Sequence, residues 1–203
     1  MLTEPDTFFS HREKQLLYDT EIFLLKRSAT EKLYSVFGNM VTALKDTAIH
    51  KQFPFPAGID STTGKISKGE NYLGYPYVVL DFPKLFGKEN IFCYRSMFWF
   101  GHYFSFSLLL GGHALKHFEE AFFRNSSAFN GHEIYFSVFK DPWGHAVSDP
   151  YYVLIDTLKK DKIIQHIEEN NYLKLTYRNM FSDPGDIITC ATNTYNLFLG
   201  SLL

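Results

Sequence analysis

A chain of 203 residues, 45% hydrophobic and 21% charged, buries roughly 70% of its unfolded surface on folding and needs neither disulfides nor metals to hold it together. Its 20 basic and 22 acidic side chains nearly cancel. No basic run exceeds a pair such as Lys159–Lys160, so the concentrated positive field that nucleic-acid binding requires is missing.

Cys93 and Cys190 lie far apart in apolar stretches without a Cys-x-x-Cys. That pattern suits free thiols in a reducing compartment better than a disulfide framework. The start, Met1-Leu-Thr-Glu-Pro-Asp6, lacks the basic and apolar regions of a signal peptide, and the expectation is a cytoplasmic protein. The unusual quantity is the aromatic fraction of 18%, from 21 Phe, 13 Tyr and 2 Trp. Rings spread along every strand-like segment point to a sheet-containing core packed with aromatics.

The first fifty residues read as two helices. Ser10-His-Arg-Glu13 and Ser28-Ala-Thr-Glu31 both fit the capping box that satisfies orphan N–H groups at a helix start. In the second helix Ala29, Leu33, Val36, Phe37, Met40, Val41 and Leu44 recur at spacings of three and four, a stripe suited to packing on a sheet. Phe53-Pro-Phe-Pro-Ala-Gly58 and the polar run after it form a loop.

Strand character begins near residue 66. Runs at Tyr75–Phe82, Ile91–Phe100 and Tyr103–Leu110 predict three strands, the last two joined by a Gly101-His102 turn or continuous through a bulge. In the hairpin reading Phe104, Phe106, Leu108 and Leu110 share one face, with Tyr103, Ser105 and Ser107 opposite. Ser96 to Leu115 contains no Asp, Glu, Lys or Arg, but its serines, histidines, glycines and period of two argue for strands rather than a membrane span.

His113 to Phe123 predicts a helix, Glu133 to Phe139 a strand, and Asp141-Pro-Trp-Gly-His145 a turn. Ser148-Asp149-Pro150 predicts the opening of another helix that kinks near Lys160 and ends at Asn170 or Asn171. Tyr172–Tyr177 alternates as a strand with Lys174 and Thr176 on one side, and Asp186–Leu199 predicts a final helix. The expected architecture is α+β over residues 1–203 as one domain. It has a mainly antiparallel sheet of about five strands, packed with two N-terminal helices and two or three further helices.

No phosphate loop, dinucleotide-binding glycine pattern or nucleophile elbow occurs, and no cofactor is implied. Three fragments could carry chemistry. Lys68, Glu70 and Asn71 lie in a polar segment before the first expected strand, where loops beside a rigid sheet often hold sites. Arg95 interrupts an apolar strand that also carries Trp99 and leads to His102. Its guanidinium needs a carboxylate, with Glu70 and Asp81 the nearest candidates, or an anionic ligand. His113 and His117, with Glu120, share a helical face that could hold a metal, although no third ligand is evident.

The leading expectation is a non-enzymatic domain binding a small ligand or protein partner through an aromatic-rich sheet face. The alternative is a small enzyme acting on an anionic substrate through Lys68, Glu70, Arg95 and His102. Convergence of those four in one pocket would favour a ligand or enzyme site. Dispersal of the four, with an apolar patch elsewhere, would favour partner binding.

Overall fold

The computed structural model describes residues 8–148, 150–180 and 183–203. The chain divides into two units, one running to Ser35 and one from Val36 to Leu203.

Within the first unit Ser10 caps helix α1 (His11–Tyr18) with both bonds of the capping box. Asp19 then adopts an extended conformation, ending α1, and its carboxylate accepts the Ile22 N–H at the start of α2 (Thr20–Asp46). The helix boundary expected at Ser28 is therefore at Asp19, and Ser28 lies within α2. Glu31 does not reach back to a cap; it pairs with Arg27 at 3.0 Å. Thr30 returns its hydroxyl to the Lys26 carbonyl, which is how hydroxyl residues are accommodated inside a helix.

The second unit takes in the C-terminal part of α2, the short α3 (Ala48–Gln52), and a seven-stranded sheet. Its strands are β1 (Lys65–Tyr72), β2 (Tyr75–Phe86), β3 (Asn90–Trp99), β4 (Phe104–Gly112), β5 (Ile134–Ser137), β6 (Tyr152–Leu154) and β7 (Tyr172–Asn179). Their order is β1-β2-β3-β4-β7-β5-β6, and every neighbouring pair is antiparallel. Helices α4 (His113–Asn125), α5 (Lys160–Asn170) and α6 (Pro184–Gly200) complete an α+β fold.

Two strands exceed the expected five. β1 is the polar segment read as a loop; it is an exposed edge strand, the position where charged side chains discourage sheet-to-sheet pairing. β6 falls where a helix was expected after Pro150. Asp149, the supposed cap, lies outside the described residues, and the helix of this region starts only at Lys160. The Ser96–Leu115 stretch forms the end of β3, a hairpin, β4 and the start of α4. No helix among the described residues is long and apolar enough to cross a membrane.

Alternation gives the sheet two different faces. One presents Leu80, Phe92, Tyr94, Phe104, Phe106, Leu108, Leu173 and Leu175, all buried. Helices cover it. Phe37 of α2 meets Phe104 edge-on, Phe118 of α4 reaches Phe92, and the Tyr94 hydroxyl donates to the Ala191 carbonyl of α6 at 2.6 Å. The second face carries Asp81, Cys93, Arg95, Ser105, Ser107, Lys174 and Thr176, and it holds the candidate site.

Candidate functional site

Antiparallel register places Asp81 of β2, Arg95 of β3, Ser107 of β4 and Thr176 of β7 in one row, with Cys93, Leu109 and Lys174 in the next. Arg95 meets Asp81 through Nε at 2.6 Å and an NH2 group at 2.9 Å. This planar, two-point contact is the strong form of a charged hydrogen bond. Burial opposes the Arg95 charge, but the Asp81 bonds prevail and hold its pKa above the usual value. The Cys93 thiol also donates to Asp81, at 3.3 Å. Burial pushes the thiol's pKa well above its ordinary range, so it is a poor nucleophile.

A strap formed by residues 139–147 lies over this polar face, and side chains rising from the sheet bind its backbone. The Tyr172 hydroxyl donates to the Phe139 carbonyl. Lys174 Nζ donates to the carbonyls of Pro142 at 3.1 Å and Gly144 at 2.5 Å, and the Tyr152 hydroxyl donates to Gly144 at 2.8 Å. The Tyr72 hydroxyl accepts the N–H groups of His145 and Ala146 at 2.7 and 2.9 Å, and the Tyr103 hydroxyl accepts that of Val147 at 2.7 Å. The buried phenols and the lysine thus satisfy an irregular segment whose own backbone cannot form a ladder.

The strap in turn shapes the charges beneath it. Lys174 is 2% exposed, and burial, with Arg95 adding to it and Asp141 opposing, lowers its pKa to about 7. Burial, together with the charges of Lys174 and Arg95, lowers His145 to about 2, so this imidazole is neutral. Trp143 lays its ring over the Arg95 guanidinium, 5.1 Å from centroid to Cζ. Gly69 of β1 leaves room for the Tyr77 ring: a β-carbon there would stand 2.4 Å from it, and the ring would have to move aside.

The residues singled out in the sequence do not converge. Lys68 pairs with Val78, three residues from Asp81, so strand alternation puts it on the face opposite Arg95. Lys68 and Glu70 are exposed on β1, and the Asn71 side chain accepts the Gly74 N–H of the β1–β2 turn. Trp99 and His102 do meet, stacked at 3.7 Å, with Tyr75 edge-on to the imidazole. They form an aromatic knot at the β3–β4 hairpin, whose loop spans residues 100–103, two residues longer than the expected turn. Ser105 and Ser107, which could have lined a groove, are buried.

His113 and His117 are exposed, with His113 3.9 Å from Glu89. Among the described residues no group of three His, Cys, Asp or Glu is placed to hold a metal. The N–H groups after Gly111 are taken by the chain itself: Gly112 donates to Asn171, His113 to Glu89 and Ala114 to the Asn90 side chain. Glu120 borders a groove of about 610 Å³ with Lys116, Glu119, Arg124 and Lys160, where charges of both signs alternate.

Sequence reasoning missed Lys174 and His145. A lone lysine in an alternating strand has the pattern of a solvent-facing residue, and only the strap buries it. In the first expected helix Leu16, Leu17, Phe23, Leu24 and Leu25 form a broad apolar face whose sequence pattern suits covering on two sides, and the structure leaves all five exposed. Phe8, Phe9, Leu16, Leu17, Tyr18, Ile22, Phe23, Leu24 and Leu25 are all exposed, Leu24 and Leu25 at 66%. Comparison with family models, curated proteins and solved structures gave no significant match.

Proposed function

We propose that this protein is a non-enzymatic interaction domain that docks a protein partner through the apolar surface of its N-terminal helices. The observation that carries the reading is the run Ile22-Phe23-Leu24-Leu25, exposed at all four positions. Successive helical residues step by about 100°, so these four put apolar side chains on every side of one turn of α2, more than the single stripe a helix needs to pack on one neighbour. Exposed apolar area of this extent marks interaction surfaces.

A protein surface fits better than a lipid one. Interfacial helices concentrate Lys and Arg on the polar side, whereas here Arg12, Lys14, Lys26, Arg27 and Lys32 are interspersed with Glu13, Asp19, Glu21 and Glu31. A photoreactive phenylalanine analogue at position 24, irradiated in the producing cell, tests the reading. The expected result is a crosslink to one identified protein that disappears with Leu25→Glu and is missing when the probe stands at Lys68. Adducts to lipid alone, or none, would overturn it.

A second reading has one observation in its favour: a buried amine with a pKa near 7, Lys174, on the same face as Arg95. This would serve a small enzyme or binder acting on an anion. Selective acylation of Lys174 ahead of the surface lysines at pH 8 would support it. Protection of Lys174 until the protein unfolds would reject it.

A further inference from the structure

We propose that residues 139–147 form an acid-released strap, which lifts from the sheet while the strands stay paired and lifts more readily as pH falls. The device is separate from the N-terminal helices and stands whether or not they dock a partner.

Little apolar area holds the strap down. Of its nine residues only Val147 is buried, and Ala146 joins it against a small cluster that includes Val79, Met97 and Tyr103. Within the strap the Gly144 N–H donates to the Asp141 carbonyl at 3.3 Å. The anchors come from sheet side chains: four tyrosines, Lys174, and Arg178, whose guanidinium reaches the Val147 carbonyl at 3.3 Å. Breaking these bonds leaves every ladder of the sheet intact. A segment with so few buried apolar contacts belongs to the low-stability end of a fold, which opens without the rest.

The charges beneath set the direction. Arg95 and a protonated Lys174 place two cations against one carboxylate, Asp81, both of whose oxygens Arg95 already holds. Lys174 Nζ has the Pro142 and Gly144 carbonyls as its partners. A neutral amine has two hydrogens for those two acceptors, whereas an ammonium brings a third hydrogen and a charge into a dry site. From the strap, Asp141 favours the ammonium, and Lys140 is exposed. The His145 imidazole lodges against the rings of Tyr72 and Tyr77, at 5.3 and 6.4 Å. Burial raises Cys93, Tyr103, Tyr152 and Tyr172, so these stay neutral below the strap. Arg178, 3.8 Å from Glu133, keeps its charge throughout.

Lifting the strap returns Lys174 and His145 to water. Lys174 then moves from about 7 to its ordinary 10.5, and His145 from about 2 to 6.5. Within each interval the lifted form binds more protons than the closed one, so acid favours lifting, by up to about tenfold per pH unit.

The test is amide exchange of the full chain, followed residue by residue by NMR and divided by the unstructured-chain rate at each pH. The reporters are His145, Ala146 and Val147, whose N–H groups end on Tyr72 and Tyr103. Their protection should fall about fifteenfold from pH 8.5 to 7, and about fifteenfold again from 6.5 to 5. Lys174→Gln, which keeps N–H donors, should abolish the first fall and leave the second, and His145→Gln should do the reverse. Denaturant below the unfolding transition should speed exchange in β3 and β4 but hardly at these three amides, since a lifted strap exposes little surface.

Strap and sheet amides sharing one protection factor at every pH would overturn the strap as a separate unit. Strap protection that is flat across both intervals, or a first fall that survives Lys174→Gln, would overturn release by acid.

Discussion

The two faces of the sheet solve the same problem in different ways. Both must be removed from water, yet one is covered by helices and the other by an irregular strap. On the helix side the strands present Phe and Leu, and the helices bring their own hydrogen bonds, so the contact is almost entirely apolar. The strap has no internal ladder, and the face beneath it supplies donors and acceptors instead: Tyr72, Tyr103, Tyr152, Tyr172 and Lys174. The comparison teaches that buried polar residues on a sheet need not form a catalytic centre. Their pattern follows the backbone they must satisfy.

The comparison can be broken first on the helix face. Phe106→Ala removes a fully buried ring and is expected to cost about 3–5 kcal/mol in denaturant unfolding. A cost below about 1 kcal/mol would mean that this face is not the core.

The strap face should respond to charge rather than volume. Asp81→Ala leaves Arg95 buried without its carboxylate, a loss of about 3 kcal/mol. The double change Asp81→Leu/Arg95→Met should recover most of it, as apolar replacement of buried pairs often does. If the double change is as damaging as the single one, the pair has a role beyond neutralising itself.

Titration separates the faces further. Lys174 falls from its ordinary 10.5 to about 7 in the folded protein. The unfolded chain therefore holds more protons between those values, and stability rises with pH across that window, by up to about 1.4 kcal/mol per unit. His145, lowered from 6.5 to about 2, acts in the same direction between pH 2 and 6.5, so acid should destabilise the fold. Lys174→Met should flatten the slope between pH 7 and 10, and His145→Gln the slope below 6.5, in unfolding curves recorded at each pH.

The smallest expected effect is that of Tyr72→Phe. It deletes a hydroxyl that accepts two strap N–H groups and should cost about 1–2 kcal/mol. Amide exchange at His145 and Ala146 should accelerate while amides of β3 and β4 keep their protection. Equal acceleration throughout would show that the strap and sheet open as one unit.

Several elements were legible before any coordinates. The apolar, aromatic and alternating segments became β2, β3, β4, β5 and β7, and the stripes in residues 36–44 and 113–122 became helices packed on them. Asp81 was a candidate partner for Arg95 because both lie in strands read as neighbours. β1 was illegible because Lys65-Ile-Ser-Lys-Gly-Glu-Asn-Tyr72 is polar, as an edge strand can be. β6 was illegible because Pro150 imitates a helix start and only three residues pair.

The chain's own residues determined which segments alternate, where helices turn an apolar stripe inward, and that aromatic side chains would fill the core. Those outcomes depend on neighbours two to four positions away, a distance that sequence periodicity records. Tertiary structure alone decided that the polar face would be closed by residues 139–147. It decided that Lys174 would lie between the carbonyls of Pro142 and Gly144, and that Lys68 and Arg95 would point to opposite faces. These depend on strand register and on contacts some thirty residues apart, where burial and local charge are properties of the assembled surface rather than of any segment within it.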